Sequence, residues 1–441
     1  MLKKIRHAFS KLPPARNLLL GYLTYASIGW LLLLLPICHK QHVSALDNFF
    51  IATSAMSGTG LTTVDVGTEY SLLGQIIILL LIQAGGIGYM TFSSFVILAT
   101  TKKLSHYRQK IASTTFSLPS EFSMHEFIIN VAIFTFICEF IGTIALSVIF
   151  MQRGIEHSIW NGVFHSVSAF CTAGFSLFND SFTGFKYDLW INITLSALSI
   201  LGAVGFIVWL DLYKRVKGQK DHLTFITKVI LSITFLFIFL GSLIFFFVEG
   251  PLADTTVYQR LMTSFFQTMS ASTTVGLNTL DIGGLKEGTL VLLISLMVFG
   301  ASPSGTGGGL KSTTFAALVG LVKSTVTGKN IVSFWNREIP PKRLRLATAT
   351  FAYYAFVLTF SVFLLSLLEN KRFVSIVFEA ASALGTVGLS MGITSSLTDW
   401  GKLIITFLMF MGRVGILTFG IAISVQLKEE EEFQKDNELV F

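Results

Sequence analysis

Eight long apolar stretches, spread along the 441 residues, constrain the fold of this chain more than any other feature. A helix rises about 1.5 Å per residue, so each stretch is long enough to cross the roughly 30 Å hydrocarbon core of a bilayer. Only 13% of the residues are charged, whereas soluble domains carry about a quarter. The sequence therefore predicts an all-α integral membrane protein with spans near 18–36, 72–100, 127–150, 189–210, 227–248, 288–322, 346–368 and 402–425.

Lys and Arg are distributed unevenly between the segments that connect these stretches. Twenty-two of them lie at the termini and in alternate connections, whereas the opposite connections hold eight. Because cytoplasmic loops are enriched in Lys and Arg, we expect both termini on the cytoplasmic side of a bacterial cell membrane. The net charge of +7 thus reflects topology, and it does not indicate a nucleic-acid partner. The predicted cytoplasmic segments are 1–17, 101–126, 211–226, 323–345 and 426–441.

The four outer connections contain the same motif, Phe-x3-Ser-Ala-x4-Gly. Each copy is too short to span the membrane, so a re-entrant helix that ends in a buried loop is expected. The chain then forms four span–pore-helix–span repeats around a pseudo-four-fold central pore. The motifs begin at Phe50, Phe164, Phe266 and Phe378 and end at Gly60, Gly174, Gly276 and Gly388, and the repeats cover 18–100, 127–210, 227–322 and 346–425.

The last four residues of each motif predict an ion-selectivity filter. A pore helix directs the negative end of its dipole, and its last carbonyl groups, toward the pore. The residues that follow are small or β-branched and uncharged, so their carbonyl groups can replace the hydration shell of an alkali cation such as K⁺. The predicted filter residues are Ser57, Gly58, Thr59, Gly60, Cys171, Thr172, Ala173, Gly174, Thr273, Thr274, Val275, Gly276, Gly385, Thr386, Val387 and Gly388. Asp65 and Asp281, each five residues after a motif glycine, are predicted to concentrate cations at the outer mouth.

These motifs resemble a known family. Thr-Val-Gly at the third and fourth copies resembles a potassium-channel filter with one glycine, and four nonidentical copies on one chain resemble the Trk/Ktr/HKT superfamily of potassium and sodium transporters. The length and the eight spans are most similar to the membrane subunit of the bacterial Ktr branch. The first copy departs from the family pattern at Gly58. The resemblance, which covers about 18–425, implies a homodimer with one pore per protomer and a cytosolic regulatory ring that binds nucleotide, so this chain itself needs no cofactor.

The second span of the third repeat is interrupted by five glycines and Pro303 between positions 300 and 309. Continuous helix is disfavoured there, and the family resemblance implies an intramembrane gating loop at 300–312. Arg413 is a costly charge in the middle of a predicted span and therefore a candidate functional residue. The predicted gate residues are Gly300, Ser304, Gly305, Thr306, Gly307, Gly308, Gly309, Lys311 and Arg413.

Three alternatives to a potassium pathway follow from the same residues. The glycine-rich stretch is a poor match to a phosphate-binding loop, because Leu310 stands where a glycine must precede the lysine. A polytopic membrane enzyme would need a cluster of Asp, His or Cys at catalytic spacing, and the sequence has none. Sodium selectivity or sodium coupling on the same fold remains the main rival, although Gly60 stands where plant-type sodium transporters of the superfamily carry serine.

Overall fold

The computed structural model describes residues 14–88, 124–249, 255–300 and 302–423. The predicted cytoplasmic segments at 1–17, 101–126 and 426–441 lie wholly or mostly outside these residues, as does the end of the predicted span at 72–100. The described part of the chain is mostly helical. Its helices are α1 Pro14–Leu33, α2 Ala45–Ser57, α3 Val66–Glu69, α4 Leu72–Gly86, α5 Met124–Gln152, α6 Ser158–Phe170, α7 Leu189–Val204, α8 Phe206–Val216, α9 Phe225–Glu249, α10 Val257–Thr273, α11 Glu287–Phe299, α12 Ser312–Val326, α13 Pro341–Leu368, α14 Phe373–Gly385, α15 Asp399–Val414 and α16 Ile416–Ile423.

A short hairpin and four 3₁₀ turns complete the described secondary structure. Strands β1 (Ser333–Phe334) and β2 (Arg337–Glu338) pair antiparallel, with Ser333 opposite Glu338. The predicted connection at 323–345 is therefore partly structured, since α12 extends into it and α13 begins before its end. The 3₁₀ turns are Pro36–Cys38, Thr183–Phe185, Ile282–Gly284 and Thr394–Ser396.

Three described helices, α5, α9 and α13, are long and apolar enough to cross a membrane, and the number rises to five if each of two bent helix pairs is one span. The surface of α9 fits a lipid environment, because large apolar side chains such as Phe235, Phe239 and Phe247 are exposed on it. The remaining apolar helices are shorter. The count of eight spans and the division into four repeats therefore remain predictions.

The predicted spans at 189–210 and 402–425 are not continuous helices. Helices α7 and α8 meet at an angle of 93°, and α15 and α16 meet at 97°. Each bend is centred on a glycine with positive φ: Gly205 has φ +97° and Gly415 has φ +92°. Side chains rarely adopt such angles, so these glycines end one helix and redirect the chain.

Helices α2, α6, α10 and α14, which carry the four motifs, occupy the centre of the fold. Their motif phenylalanines, Phe50, Phe164, Phe266 and Phe378, are all fully buried. The start of α2 is fixed by Ser44, whose side chain accepts from the Asp47 N–H, and the start of α10 by a capping box between Thr256 and Gln259. These helices are too short to span a bilayer, as the sequence indicated.

The same close contact recurs four times between a motif-bearing helix and the helix that follows it. A Cβ added at Gly85, Gly202, Gly300 or Gly412 would collide with a backbone carbonyl oxygen. In each case this oxygen belongs to the residue that directly precedes the four predicted filter residues of the same copy. Those partners are Met56, Phe170, Ser272 and Leu384, respectively. Without a hydrophobic driving force in lipid, helices associate through such small residues. Close packing therefore explains these four glycines, including Gly300, which the sequence assigned to the gate.

Candidate functional site

The four segments that follow the central helices, residues 57–60, 171–174, 273–276 and 385–388, share one backbone arrangement; we refer to them as the glycine segments. In each, the third residue donates its N–H to the carbonyl oxygen of the motif serine. These hydrogen bonds join Thr59 to Ser54 (3.0 Å), Ala173 to Ser168 (2.8 Å), Val275 to Ser270 (3.1 Å) and Val387 to Ser382 (2.8 Å). Four segments of different sequence thus end their helices in the same way.

The second residue of every glycine segment has a left-handed backbone. Gly58 has φ +63°, and Thr172, Thr274 and Thr386 have φ of +48°, +60° and +50°. β-Branched residues seldom adopt this conformation, so three threonines there indicate that the surrounding structure imposes it. Gly58 adopts the same geometry as the threonines. Its departure from the family pattern therefore leaves the backbone of the first segment unchanged.

The four motif glycines form a closed ring. A Cβ added at Gly60 would lie 2.5 Å from the carbonyl oxygen of Ala173, nearer than Cβ atoms approach in proteins. Gly174 faces Val275 of the third segment in the same way, and Gly276 faces Val387 of the fourth. Gly388 closes the ring against Thr59 of the first. All four glycines have positive φ, between +68° and +98°, so two independent constraints exclude a side chain at each position.

The motif serines support this ring, a role that the sequence analysis did not assign to them. The hydroxyl oxygens of Ser54 and Ser382 accept from the N–H groups of Gly60 (3.1 Å) and Gly388 (3.0 Å). In the other two copies the hydroxyl donates instead: Ser168 to Phe175 O (2.8 Å) and Ser270 to Leu277 O (2.6 Å). The signal for this role was present in the sequence, because serine occupies the same motif position four times.

A cavity of about 620 Å³ lies against one side of the ring and is lined by all four motif glycines. Asp65 and Asp281, the predicted outer-mouth acids, both line it. Their side chains also accept backbone hydrogen bonds, Asp65 from Gly67 N (2.7 Å) and Asp281 from Gly283 N (3.0 Å). Asp180 lines the same cavity, and the sequence analysis missed it because it follows its motif glycine by six residues instead of five.

Residues 302–311 form a loop that bonds to the second and fourth glycine segments; we refer to it as the glycine-rich loop. The Thr306 hydroxyl is 2.9 Å from the Thr172 hydroxyl in the second glycine segment. Gly308 N donates to Thr386 Oγ1 in the fourth segment, at 2.9 Å. Thr274 of the third segment makes no such link, and its buried hydroxyl has no hydrogen-bond partner among the described residues. The loop therefore lies directly beneath the second and fourth segments.

Ser304 attaches this loop to the bend of the second repeat. Its carbonyl oxygen accepts from Phe206 N and its hydroxyl from Ile207 N, both at 3.2 Å. These two N–H groups belong to the first turn of α8, which has no intrahelical partners for them. Thr306 N in turn donates to Gly202 O in α7, at 3.2 Å. The bend between α7 and α8 and the loop of the third repeat thus stabilise each other.

Arg413, in the last turn of α15, contacts two other repeats. Its Nη1 donates to Thr306 O in the glycine-rich loop, and its Nη2 to the carbonyl oxygens of Gly85 and Gly86 (3.1 Å for Gly86). Lys311 Nζ donates to Gly307 O at 2.8 Å, within the loop. Neither cation forms an ion pair with a carboxylate in the described part of the chain. Two basic side chains, both bonded to backbone carbonyl groups, therefore lie on the loop side of the ring.

The structure thus brings together the residues that the sequence placed in the filter, the outer mouth and the gate, with the exception of Gly300, which packs against Ser272. Four helix ends thus meet at the glycine ring, which has a cavity on one side and the glycine-rich loop on the other.

Comparison with known proteins identifies the class. The sequence profile of the TrkH family, described as a cation transport protein, matches residues 23–435. The chain therefore belongs to the TrkH family of cation transport proteins, and the resemblance inferred from the motifs is confirmed. Cation transport is not an enzyme class, so the alternative of a membrane enzyme has no support.

Individual relatives are similar over nearly their whole length. The Ktr system potassium uptake protein B of Bacillus subtilis is 34% identical over 411 residues, 92% of this chain and 92% of the relative. The potassium/sodium uptake protein NtpJ of Enterococcus hirae is 33% identical over 443 residues, 98% of this chain and 96% of the relative. The crystal structure of the potassium transporter TrkH from Vibrio parahaemolyticus matches with a TM-score of 0.72 at 20% identity, covering 92% of this chain and 83% of that one. At this identity the match establishes the shared fold alone.

Proposed function

We propose that this chain is the membrane-embedded, ion-translocating subunit of a bacterial potassium uptake system. The observation that carries the proposal is the closed ring of Gly60, Gly174, Gly276 and Gly388, each against the carbonyl group of the next copy. Repeated carbonyl groups around an axis are the known means of replacing the hydration shell of an alkali cation. The names of the relatives in Bacillus subtilis and Vibrio alginolyticus, which are potassium uptake proteins, support K⁺ as the transported ion.

Conduction would follow from the arrangement of charges and dipoles. A cation enters the cavity beside Asp65, Asp180 and Asp281, where negative charge raises its local concentration. It exchanges water for carbonyl oxygens of the glycine segments, toward which the negative ends of the pore-helix dipoles point. Below the ring it meets the glycine-rich loop and the positive charges of Lys311 and Arg413. Movement of this loop, biased by a partner that binds one of its states better, would open and close the path.

The regulatory and oligomeric parts of the proposal rest on the family resemblance and on the names of the relatives. A homodimer with one pore per protomer and a cytosolic nucleotide-binding ring would make the transport system a multi-component one, in line with the term "Ktr system" in three relatives' names. The uneven distribution of Lys and Arg supports cytoplasmic termini. Comparing uptake with and without co-expression of a cytosolic Ktr-type ring protein tests the regulatory part.

Substitution of each ring glycine by serine tests the assignment of the filter. In a bacterium that lacks its own potassium uptake, each Gly→Ser variant is expected to lose discrimination between K⁺ and Na⁺ in a competition assay, because the new side chain displaces a neighbouring carbonyl group. Gly154→Ser is the matched control, since Gly154 also has positive φ (+69°) but has open space around it. Unchanged K⁺ affinity and selectivity in all four ring variants would contradict the assignment.

Sodium transport is the second candidate, favoured by the name of the Enterococcus hirae relative, a potassium/sodium uptake protein. The same competition assay on the unaltered protein decides between the two. Na⁺ that replaces K⁺ at equal concentration, or that is required for K⁺ uptake, would favour the sodium-selective or sodium-coupled alternative.

A further inference from the structure

The residue that follows the motif phenylalanine occupies the same place on each pore helix but differs in chemistry. These residues are Ile51, His165, Gln267 and Glu379, and each is 1% exposed or less. Three of the four are therefore fully buried polar side chains. Leaving a buried polar group without a partner costs stability, so the partners of these side chains indicate what the position does.

His165 is bonded at both ring nitrogens. Its Nδ1 lies 2.9 Å from Asn161 O, one turn earlier on the same helix, and must donate to that carbonyl oxygen. Its Nε2 accepts from Leu177 N at 3.2 Å and lies 3.1 Å from the Ser176 hydroxyl. Both of these partners lie just beyond the motif glycine of the second repeat.

Gln267 makes the equivalent contact in the third repeat. In the amide orientation that satisfies both ends of the group, its carbonyl oxygen accepts from Thr279 N at 2.7 Å and from Leu280 N at 3.1 Å. In the fourth repeat the Glu379 carboxylate accepts from the Ser390 hydroxyl at 3.0 Å and from the Thr394 hydroxyl. The partners again belong to the segment after the motif glycine.

The partners of the three side chains lie at matching positions in the segments that follow the motif glycines. Leu177 and Thr279 each follow their motif glycine by three residues, and the N–H of each donates to the buried side chain of the same repeat. In the second and fourth repeats a hydroxyl two residues after the glycine, that of Ser176 or Ser390, also contacts the buried side chain. An imidazole, an amide and a carboxylate thus supply one acceptor at one place. Ile51 has no acceptor, so the first repeat lacks this tie.

We propose that His165, Gln267 and Glu379 are positioning residues for ion selectivity, each tying the segment beyond its ring glycine to the pore helix. Together with the motif serine on the pore helix, the tie holds the glycine segment at both ends, so the ring cannot widen or narrow to suit a smaller ion. This inference rests on the proposed filter function. The acceptor matters for it, and the charge does not.

The experiment measures the ratio of K⁺ to Na⁺ uptake, and separately the maximal K⁺ uptake per protein molecule in the membrane, in the uptake-deficient bacterium. Gln267→Met keeps the volume and removes the amide, and Glu379→Leu removes the carboxylate. Each is expected to lower the selectivity ratio by about fivefold, the effect of losing one buried hydrogen-bonded acceptor, with a smaller change in maximal uptake. Ile51→Leu, at the position that has no tie, is the matched control and is expected to leave the ratio unchanged.

The conservative variant Glu379→Gln separates the effect of the hydrogen bonds on selectivity from the effects of the charge and of misfolding. Its amide oxygen accepts the same bonds, so it is expected to retain the selectivity that Glu379→Leu loses. Equal loss in both Glu379 variants, or an unchanged ratio in Gln267→Met and Glu379→Leu at normal membrane amounts, would overturn the inference. If a variant does not reach the membrane, the ratio measured for Glu379→Gln and Gln267→Met decides in the same way. Gly276→Ser is included to distinguish failure of the filter proposal from failure of the tie. An unchanged ratio in Gly276→Ser as well would contradict the filter proposal. A lowered ratio in Gly276→Ser alone would contradict only the tie.

Discussion

Arg413 and Thr306, 107 positions apart in the sequence, are joined by a hydrogen bond from the guanidinium group to the backbone carbonyl oxygen. The same guanidinium also binds the carbonyl oxygens of Gly85 and Gly86. One side chain of the fourth repeat therefore holds the glycine-rich loop of the third repeat against the first. Arginine suits this position because its planar group offers several donors in fixed directions and stays charged.

Replacing Arg413 by Gln is expected to raise maximal K⁺ uptake and leave apparent affinity nearly unchanged. A unit charge about 7 Å from a passing cation, at an effective dielectric constant of 20, costs the cation roughly 2 kcal/mol. The substitution removes this barrier and the charged donor that binds Thr306 O in the loop. Uptake rates against K⁺ concentration, normalised to the amount of protein in the membrane, give both parameters.

Arg413→Lys is the matched control for this prediction. It keeps the charge but loses the fork of donors, so its maximal uptake is expected to stay close to that of the unaltered protein if the charge dominates. Maximal uptake that stays the same or falls in Arg413→Gln, at normal membrane amounts, would show that Arg413 is not a barrier.

Replacing Gly58 by Thr is expected to preserve K⁺ selectivity. Thr172, Thr274 and Thr386 already adopt the left-handed backbone that Gly58 shows, and a Cβ at Gly58 would have Cys171 O as its nearest neighbour, at 3.6 Å. The backbone cost of the change is about 1–2 kcal/mol. Competition between K⁺ and Na⁺ measures the outcome, with Gly60→Ser as the contrasting variant. Loss of selectivity equal to that of Gly60→Ser would contradict the assigned space and geometry.

Much of this arrangement could be predicted from the sequence, because it depends on repetition and on glycine content. The shared spacing of the motifs anticipated four equivalent helix ends, and Pro303 with its neighbouring glycines anticipated the break in the third repeat. Both signals are local. A helix that contains proline and several glycines is disfavoured whatever surrounds it.

The bends at Gly205 and Gly415 could not be predicted in the same way. A glycine in an apolar span is compatible with close packing as well as with a break, and only the backbone angle distinguishes the two. At both bends a glycine three residues earlier, Gly202 or Gly412, packs against a neighbouring carbonyl group, whereas Gly205 or Gly415 redirects the chain. The partners of Arg413 could not be predicted from the sequence either, because they are backbone carbonyl groups, which every residue carries.

The ion pair of Asp47 and Lys402 is expected to stabilise the fold by joining the first pore helix to α15. The two side chains are 15% and 13% exposed, and Nζ lies 2.8 Å from the carboxylate. Removing one partner of such a pair costs about 1–3 kcal/mol. Thermal unfolding of Asp47→Asn, Lys402→Gln and the double variant in detergent is expected to give a destabilisation for the double variant smaller than the sum of the singles. Strict additivity would show that the pair is not coupled.

The same pair predicts how stability depends on pH. Burial alone would raise the pKa of the Asp47 carboxyl, but hydrogen bonds from Lys402 and Ser44 outweigh it, so the pKa lies below its ordinary value. A lowered pKa in the folded state means that the contribution is present above the ordinary carboxyl pKa of about 4 and is lost as the pH falls through the lowered value. The stability difference between the unaltered protein and Asp47→Asn is therefore expected to shrink in acid. A stability difference that stays constant down to the lowered pKa and below it would show that these hydrogen bonds do not lower the pKa of Asp47.

Deleting residues 305–308 tests the glycine-rich loop as a gate. The deletion removes the Thr306 link to Thr172, the Gly308 link to Thr386 and the carbonyl group that Arg413 binds. It leaves the ring glycines and their supporting serines in place. We therefore expect K⁺ selectivity to persist, maximal uptake to rise and dependence on the cytosolic partner to weaken.

The control for the deletion is Thr306→Val, which removes only the hydroxyl group and keeps the loop and its backbone bonds. Its uptake is expected to lie between that of the unaltered protein and that of the deletion, because only the link to Thr172 and the bond to Phe170 O are lost. The loop is held by bonds to the second and fourth repeats, so its release should depend on how many of them are removed. A deletion variant that is present in the membrane, selective and still fully dependent on the partner would show that the loop is a packing element and not a gate.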